Sequence, residues 1–116
     1  NHVRILNLDA LANFLLIDTA AGTHCSVINA LIGSELAYLV TEPTPLGAHD
    51  SRLMFKLLKI LDIPCEIVLN KAGVARDELI EDLAKQNNMD ISYKIPYSEK
   101  LAEAYSTKNL KELDIL

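Results

Sequence analysis

Several things are scarce in this chain, and each scarcity excludes something. There is no tryptophan, and the aromatic content is 5%, from two phenylalanines and four tyrosines. There are two cysteines, Cys25 and Cys65, too few and too far apart for a disulfide framework or a paired-cysteine metal knuckle. Such sparse cysteine usage fits a reducing, cytoplasmic compartment. No apolar run approaches the roughly twenty residues of a membrane helix, so no transmembrane segment is expected, and no signal-peptide pattern is visible. Positive charge is also short. Eleven Lys and Arg face sixteen Asp and Glu, for a net charge of −5 and a pI near 5.1. That balance argues against a nucleic-acid partner, which needs clustered basic side chains.

What is present is apolar and ordered in pattern. Half of the 116 residues are hydrophobic, which excludes a disordered chain and suggests one domain spanning 1–116. Residues 3–12 place Val3, Leu6, Ala10 and Leu11 at helical spacing. Phe14 to Ile17 is a continuous apolar run, the mark of a strand covered on both faces, and Asp18 ends it. A helix over 25–33 stops at Gly33. A second apolar strand runs from Leu36 to Val40, and the prolines of TEPTP, residues 41–45, end it. Thr44 as cap and Pro45 at the first turn open a helix that runs to about Leu61. Cys65 to Leu69 is a third strand, 76–87 an amphipathic helix, and Ile91 to Ile95 a fourth strand ended by Pro96. Ser98 can cap one further helix and Thr107 another. Apolar strands alternating with helices predict an α/β fold, with a parallel sheet of about four strands and helices on both faces.

In such folds ligands bind at the carboxyl ends of the strands. Asp18, Thr19 and Gly22 stand after the first strand, Thr41, Glu42, Pro43 and Thr44 after the second. Asn70 and Lys71 follow the third, Pro96 and Tyr97 the fourth. Each has an ordinary reading as a turn or cap residue. Cys65 reads as core and Cys25 as a small packing residue. His24 and His49 have no third ligand at metal spacing.

In order along the chain, these strand ends resemble a known family. FLLIDTAAG (14–22), VTEPTPLGAHD (40–50), IPCEIVLNKAG (63–73) and KIPYSEKLAEA (94–104) resemble successive motifs of the MinD/ParA group of P-loop ATPases. They are closest to the MinD-like members with an inserted ferredoxin module. The resemblance covers about residues 3–106. It implies a partial P-loop NTPase, Rossmann-like fold that binds ATP or ADP with Mg²⁺ and acts as a nucleotide switch in iron–sulfur or metal-related processes. It implies that Asp18 is the catalytic residue, holding Mg²⁺ through its water shell or orienting the attacking water. Gly22, with Thr19 beside it, is the γ-phosphate sensor. Asn70, followed by Lys71, reads the adenine base, and Pro96 with Tyr97 walls the base pocket. Glu42 and Thr44 lie near the nucleotide or a dimer partner.

The same comparison exposes gaps. No Gly-rich cradle followed by Lys and Ser/Thr occurs, since the four glycines stand at 22, 33, 47 and 73. The cysteines for an iron–sulfur cluster are lacking too, so a cluster is implied only through regions not in this chain. Ala20 and Ala21 stand where the family commonly has proline. The chain, opening on Asn1, is therefore expected to be the carboxyl half of such an ATPase. In the family a P-loop strand lies between the strands matching 14–18 and 36–41. Its absence predicts direct pairing of those two, a rearranged sheet, or a strand-swapped homo-oligomer. The alternative function is a non-catalytic α/β interaction domain that has lost nucleotide binding.

Overall fold

The structure is a computed structural model and describes residues 4–7 and 15–107. The elements run β1 (Arg4–Asn7), β2 (Leu15–Asp18), α1 (Cys25–Leu31), β3 (Ala37–Thr41), α2 (Pro45–Ile60), β4 (Cys65–Ala72), α3 (Glu78–Gln86), β5 (Ile91–Pro96) and α4 (Glu99–Thr107). The class is α/β. β3, β4 and β5 form a parallel sheet in the order β3-β4-β5, with α2 and α3 as the intervening crossovers. This is a partial Rossmann-like arrangement.

The amino-terminal part departs from the expected arrangement. Arg4–Asn7, expected within a helix, is a strand, and it pairs antiparallel with β2 in a separate two-stranded ladder. Among the described residues the parallel sheet therefore has three strands, and Leu15–Asp18 does not enter it. The physical reason is partner availability. A strand needs a ladder of backbone donors and acceptors beside it, and β1 supplies one locally without a crossover. The expected helix opened by Thr107 falls outside the described residues.

The core lies between the sheet and two of its helices. Ile67 and Leu69 of β4 are fully buried and alternate to one face, where they meet Ala48 and Phe55 of α2 and Ile80, Leu83 and Ala84 of α3. A second cluster joins Ala37, Leu58 and Ile63, with Leu31 of α1 packed against it. On the same face Lys94 of β5 stands in register with Leu69 and reaches Glu81 of α3 at 3.0 Å. The opposite face is open. Tyr38 and Val40 of β3 and Tyr93 and Ile95 of β5 are 44–60% exposed. The rings of Tyr38 and Tyr93 face each other across β4 with centroids 6.5 Å apart.

Helix starts follow the local chemistry. Thr44 caps α2, its hydroxyl accepting the Gly47 N–H at 3.0 Å, and Pro45 occupies the first turn. Ser98 caps α4, accepting the Leu101 N–H at 3.1 Å. Gly47 is required by space. A Cβ there would run into the Glu42 carbonyl oxygen and crowd the Thr41 and Thr44 hydroxyls.

Candidate functional site

The carboxyl ends of three parallel strands share one edge, so the loops after β3, β4 and β5 meet there. The loop after β3 is anchored from beneath. Ser51 of α2, 2% exposed, donates to the Thr41 hydroxyl at 2.9 Å, and Thr41 donates to the Gly47 carbonyl at 3.2 Å. Pro43 is fully buried, which holds Glu42 at the surface of a rigid turn. Of this anchoring pair, sequence pointed to Thr41 as a strand-end residue but did not single out Ser51. Its only signal was a buried-face serine at helical spacing below the cap.

The end of β4 is irregular in a way that shapes the edge. Leu69 stands in register with Lys94 and Ala72 with Pro96, so three steps along β4 match two along β5. Asn70 and Lys71 therefore form a bulge, and Lys71 takes a left-handed φ of 54°. The Asn70 Oδ1 accepts the Lys71 N–H at 3.0 Å. Lys71 Nζ meets Glu42 Oε1 at 3.1 Å, with both side chains about half exposed. That ion pair joins the loop after β3 to the loop after β4.

A second tie runs beside it. The Arg76 N–H donates to the Pro43 carbonyl at 3.3 Å. Gly73, with φ of 87°, donates its N–H to both carboxylate oxygens of Asp77 at 3.0 and 3.1 Å. Asp77 precedes α3 but makes no side-chain cap to it; its carboxylate holds the 73–77 loop instead. Sequence reading did not single out Asp77. The signal that could have found it is an aspartate four residues after a turn glycine. Tyr97 completes the edge, donating its N–H to the Ala72 carbonyl at 3.1 Å.

The structure thus brings Glu42, Asn70, Lys71, Pro96 and Tyr97 to one edge. Asp18 ends β2, and Thr19 and Gly22 follow it in the loop to α1; the β1–β2 ladder is a sheet separate from β3-β4-β5. Asp18 is exposed. The Thr19 hydroxyl donates to the neighbouring Ala20 carbonyl at 3.1 Å. Gly22 takes φ of 95°, and the nearest group to its missing side chain is the His24 ring.

Asn70, Pro96 and Tyr97 offer an amide and flat apolar surface suited to a base. The described residues contain no group of three or more His, Cys, Asp and Glu placed to hold a metal. In the first turn of α2 the Gly47 N–H is already taken by Thr44, whereas the starts of α1 and α3 carry no side-chain cap. Among the described residues no helix is long and apolar enough to cross a membrane.

Cys65 opens β4 half-buried, and burial pushes its thiol up to about 11, so it stays protonated. Cys25 is exposed at the start of α1, 40 residues away in sequence and on a different element.

Comparison with known proteins gives two relatives. The chain is 41% identical over 90 residues to the uncharacterized protein MJ0579 of Methanocaldococcus jannaschii, a match covering 78% of this chain and 30% of that protein. It is 26% identical over 107 residues to the uncharacterized ATP-binding protein MJ0685 of the same organism, covering 90% of this chain and 42% of that protein. The chain therefore spans less than half the length of either relative. No protein-family model matches, and no solved structure matches significantly.

Proposed function

We infer that this chain is the base-recognising part of a nucleotide-binding domain, of the MinD/ParA P-loop kind that its strand-end motifs resemble. The observation that carries this reading is the convergence of Asn70, Pro96 and Tyr97 at the carboxyl edge of a parallel sheet. The relation to a longer protein described as ATP-binding supports it. On this reading Asn70 hydrogen-bonds the adenine edge, and Pro96 and Tyr97 flank its faces.

Hydrolysis is not part of the proposal for this chain alone. Phosphoryl transfer depends on a backbone cradle, a lysine and a metal around the phosphates. Here Asp18, matched to the phosphate end, closes a separate ladder, and Gly22 follows it in the loop before α1. In a full-length protein these would join the switch, with Asp18 at the magnesium-bound water and Gly22 at the γ-phosphate.

Calorimetric titration of Mg-ATP and Mg-ADP tests the reading, with Asn70→Asp as the control. That variant keeps an acceptor for the Lys71 N–H and removes the amide donor. Binding weakened about tenfold by Asn70→Asp is expected, the worth of one hydrogen bond to a buried partner. Binding that ignores the substitution would sink the role of Asn70. No binding at millimolar nucleotide would favour the second reading, an interaction domain. The observation behind that second reading is the open sheet face carrying Tyr38, Val40, Tyr93 and Ile95.

A further inference from the structure

Lys71 is the cation at the candidate edge, and its charge is already engaged. Its Nζ lies 3.1 Å from Glu42 Oε1, and the two side chains come from different loops. Neither position is accidental in its backbone. Lys71 sits in the bulge of β4 with φ of 54°, a conformation that ordinary residues seldom adopt. Glu42 is flanked by buried Thr41 and Pro43, and the hydrogen bonds from Ser51 to Thr41 and from Thr41 to the Gly47 carbonyl brace that turn. Both ends of the pair are thus held, although the pair itself stays half-exposed. The nearby Asp77 carboxylate takes the Gly73 N–H, and the ion pair of Lys71 is with Glu42. Arg76 is engaged by Glu78 at 3.1 Å.

We propose that Lys71 is an anion-binding subsite whose place is filled by Glu42 as an internal counter-ion, which the phosphate-bearing part of a ligand must displace. The proposal rests on the nucleotide reading above and specifies how that site selects among ligands. An uncharged group, such as a nucleoside, meets the edge without disturbing the pair. An anionic ligand must break the pair and then sit beside the freed carboxylate. Glu42 thereby lowers the affinity for bare phosphates and sets a preference for ligands that also contact the base-facing residues.

The size of the effect follows from two modest terms. Exposed ion pairs are weak, and two like charges about 4 Å apart near water repel weakly too, so together they correspond to about three- to tenfold in affinity. Added salt reduces the effect, as screening requires.

The test is calorimetry at low ionic strength on the wild type, Glu42→Gln and Lys71→Gln, with circular dichroism confirming the fold of each. The probes are ATP without divalent metal, inorganic tripolyphosphate and adenosine. Glu42→Gln is expected to tighten ATP and tripolyphosphate about three- to tenfold and leave adenosine unchanged; Lys71→Gln is expected to weaken both anions. Unchanged or weaker anion binding in Glu42→Gln, with adenosine still bound, overturns the counter-ion and leaves the base reading standing. The expected response to tripolyphosphate with no binding of adenosine does the reverse. It keeps the anion subsite and removes the base reading. If no probe binds to any of the three proteins, both fall.

Discussion

Two regions of this molecule start from the same kind of sequence and end differently. LLID of β2 and the CEIVLN stretch of β4 are both apolar runs closed by a polar residue. In β4 the run is covered by α2 and α3, and Ile67 and Leu69 lose all contact with water. In β2 the run joins a two-stranded ladder, and Leu15 remains 64% exposed. The lesson is that an apolar run specifies a strand, while its depth depends on what other parts of the chain lie over it. A two-stranded ladder without a covering layer is marginal. A three-stranded sheet with two helices docked on it holds a core.

The strongest way to break this comparison is to truncate one leucine-sized side chain in each region. Ile67→Ala should cost about 2–5 kcal/mol, the usual penalty for emptying a packed site. Leu15→Ala should change stability by less than about 0.5 kcal/mol, as exposed substitutions do. Urea unfolding reads both, and equal losses would show that β2 is buried in solution.

A smaller effect tests whether the sheet edge is as tightly built as the core below it. Gly47→Ala should destabilise by about 1–3 kcal/mol, because the new methyl overpacks the Glu42 carbonyl and two threonine hydroxyls. Thermal unfolding would show it. A neutral result would mean that the turn after β3 yields freely, and that Glu42 is not held in place.

The two cysteines sharpen the contrast most gently. At pH 8 a thiol reagent should modify exposed Cys25 first, with Cys65 lagging by at least about tenfold, since the thiolate is the reactive form. The sign of the pH dependence follows from burial. The Cys65 thiol is raised from an ordinary value of 9.0 to about 11 in the fold. Its contribution to stability is therefore complete below pH 9 and is lost as pH rises toward 11. Mass spectrometry of the labelled protein and unfolding at pH 8 and 10.5 check the two statements.

Much of the sheet unit was legible beforehand. Pro45 after Thr44 and Ser98 before α4 stand where local patterning put them, and the strands expected over 36–40, 65–69 and 91–95 form at 37–41, 65–72 and 91–96, with β4 running on through Asn70 and Lys71. These features depend on neighbours a few residues apart, such as a hydroxyl reaching an N–H three positions on. The gathering of Glu42, Asn70, Lys71, Pro96 and Tyr97 at one edge was legible for a related reason. Parallel strands joined by crossovers deliver all their carboxyl ends to the same side. The helix expected over 3–12 was misread where Arg4–Asn7 is concerned, because helical spacing in a short segment competes weakly with a strand partner nearby.

By itself, then, the sequence determined the element types from β2 onward, the caps and the polar residues at the strand ends, because each is decided by short-range sterics and hydrogen bonds. Only the tertiary structure decided which strands pair, which face of the sheet is covered, and where charges meet. The run 15–18 turned to β1 instead of β3, so Asp18 ends a different sheet from the one that carries Asn70. A one-residue mismatch between β4 and β5 lifted Lys71 into a left-handed conformation, where its ammonium meets Glu42. Pairing partner and register are settled by competition among distant segments for the same backbone donors and the same apolar surface, and no local pattern records the outcome of that competition.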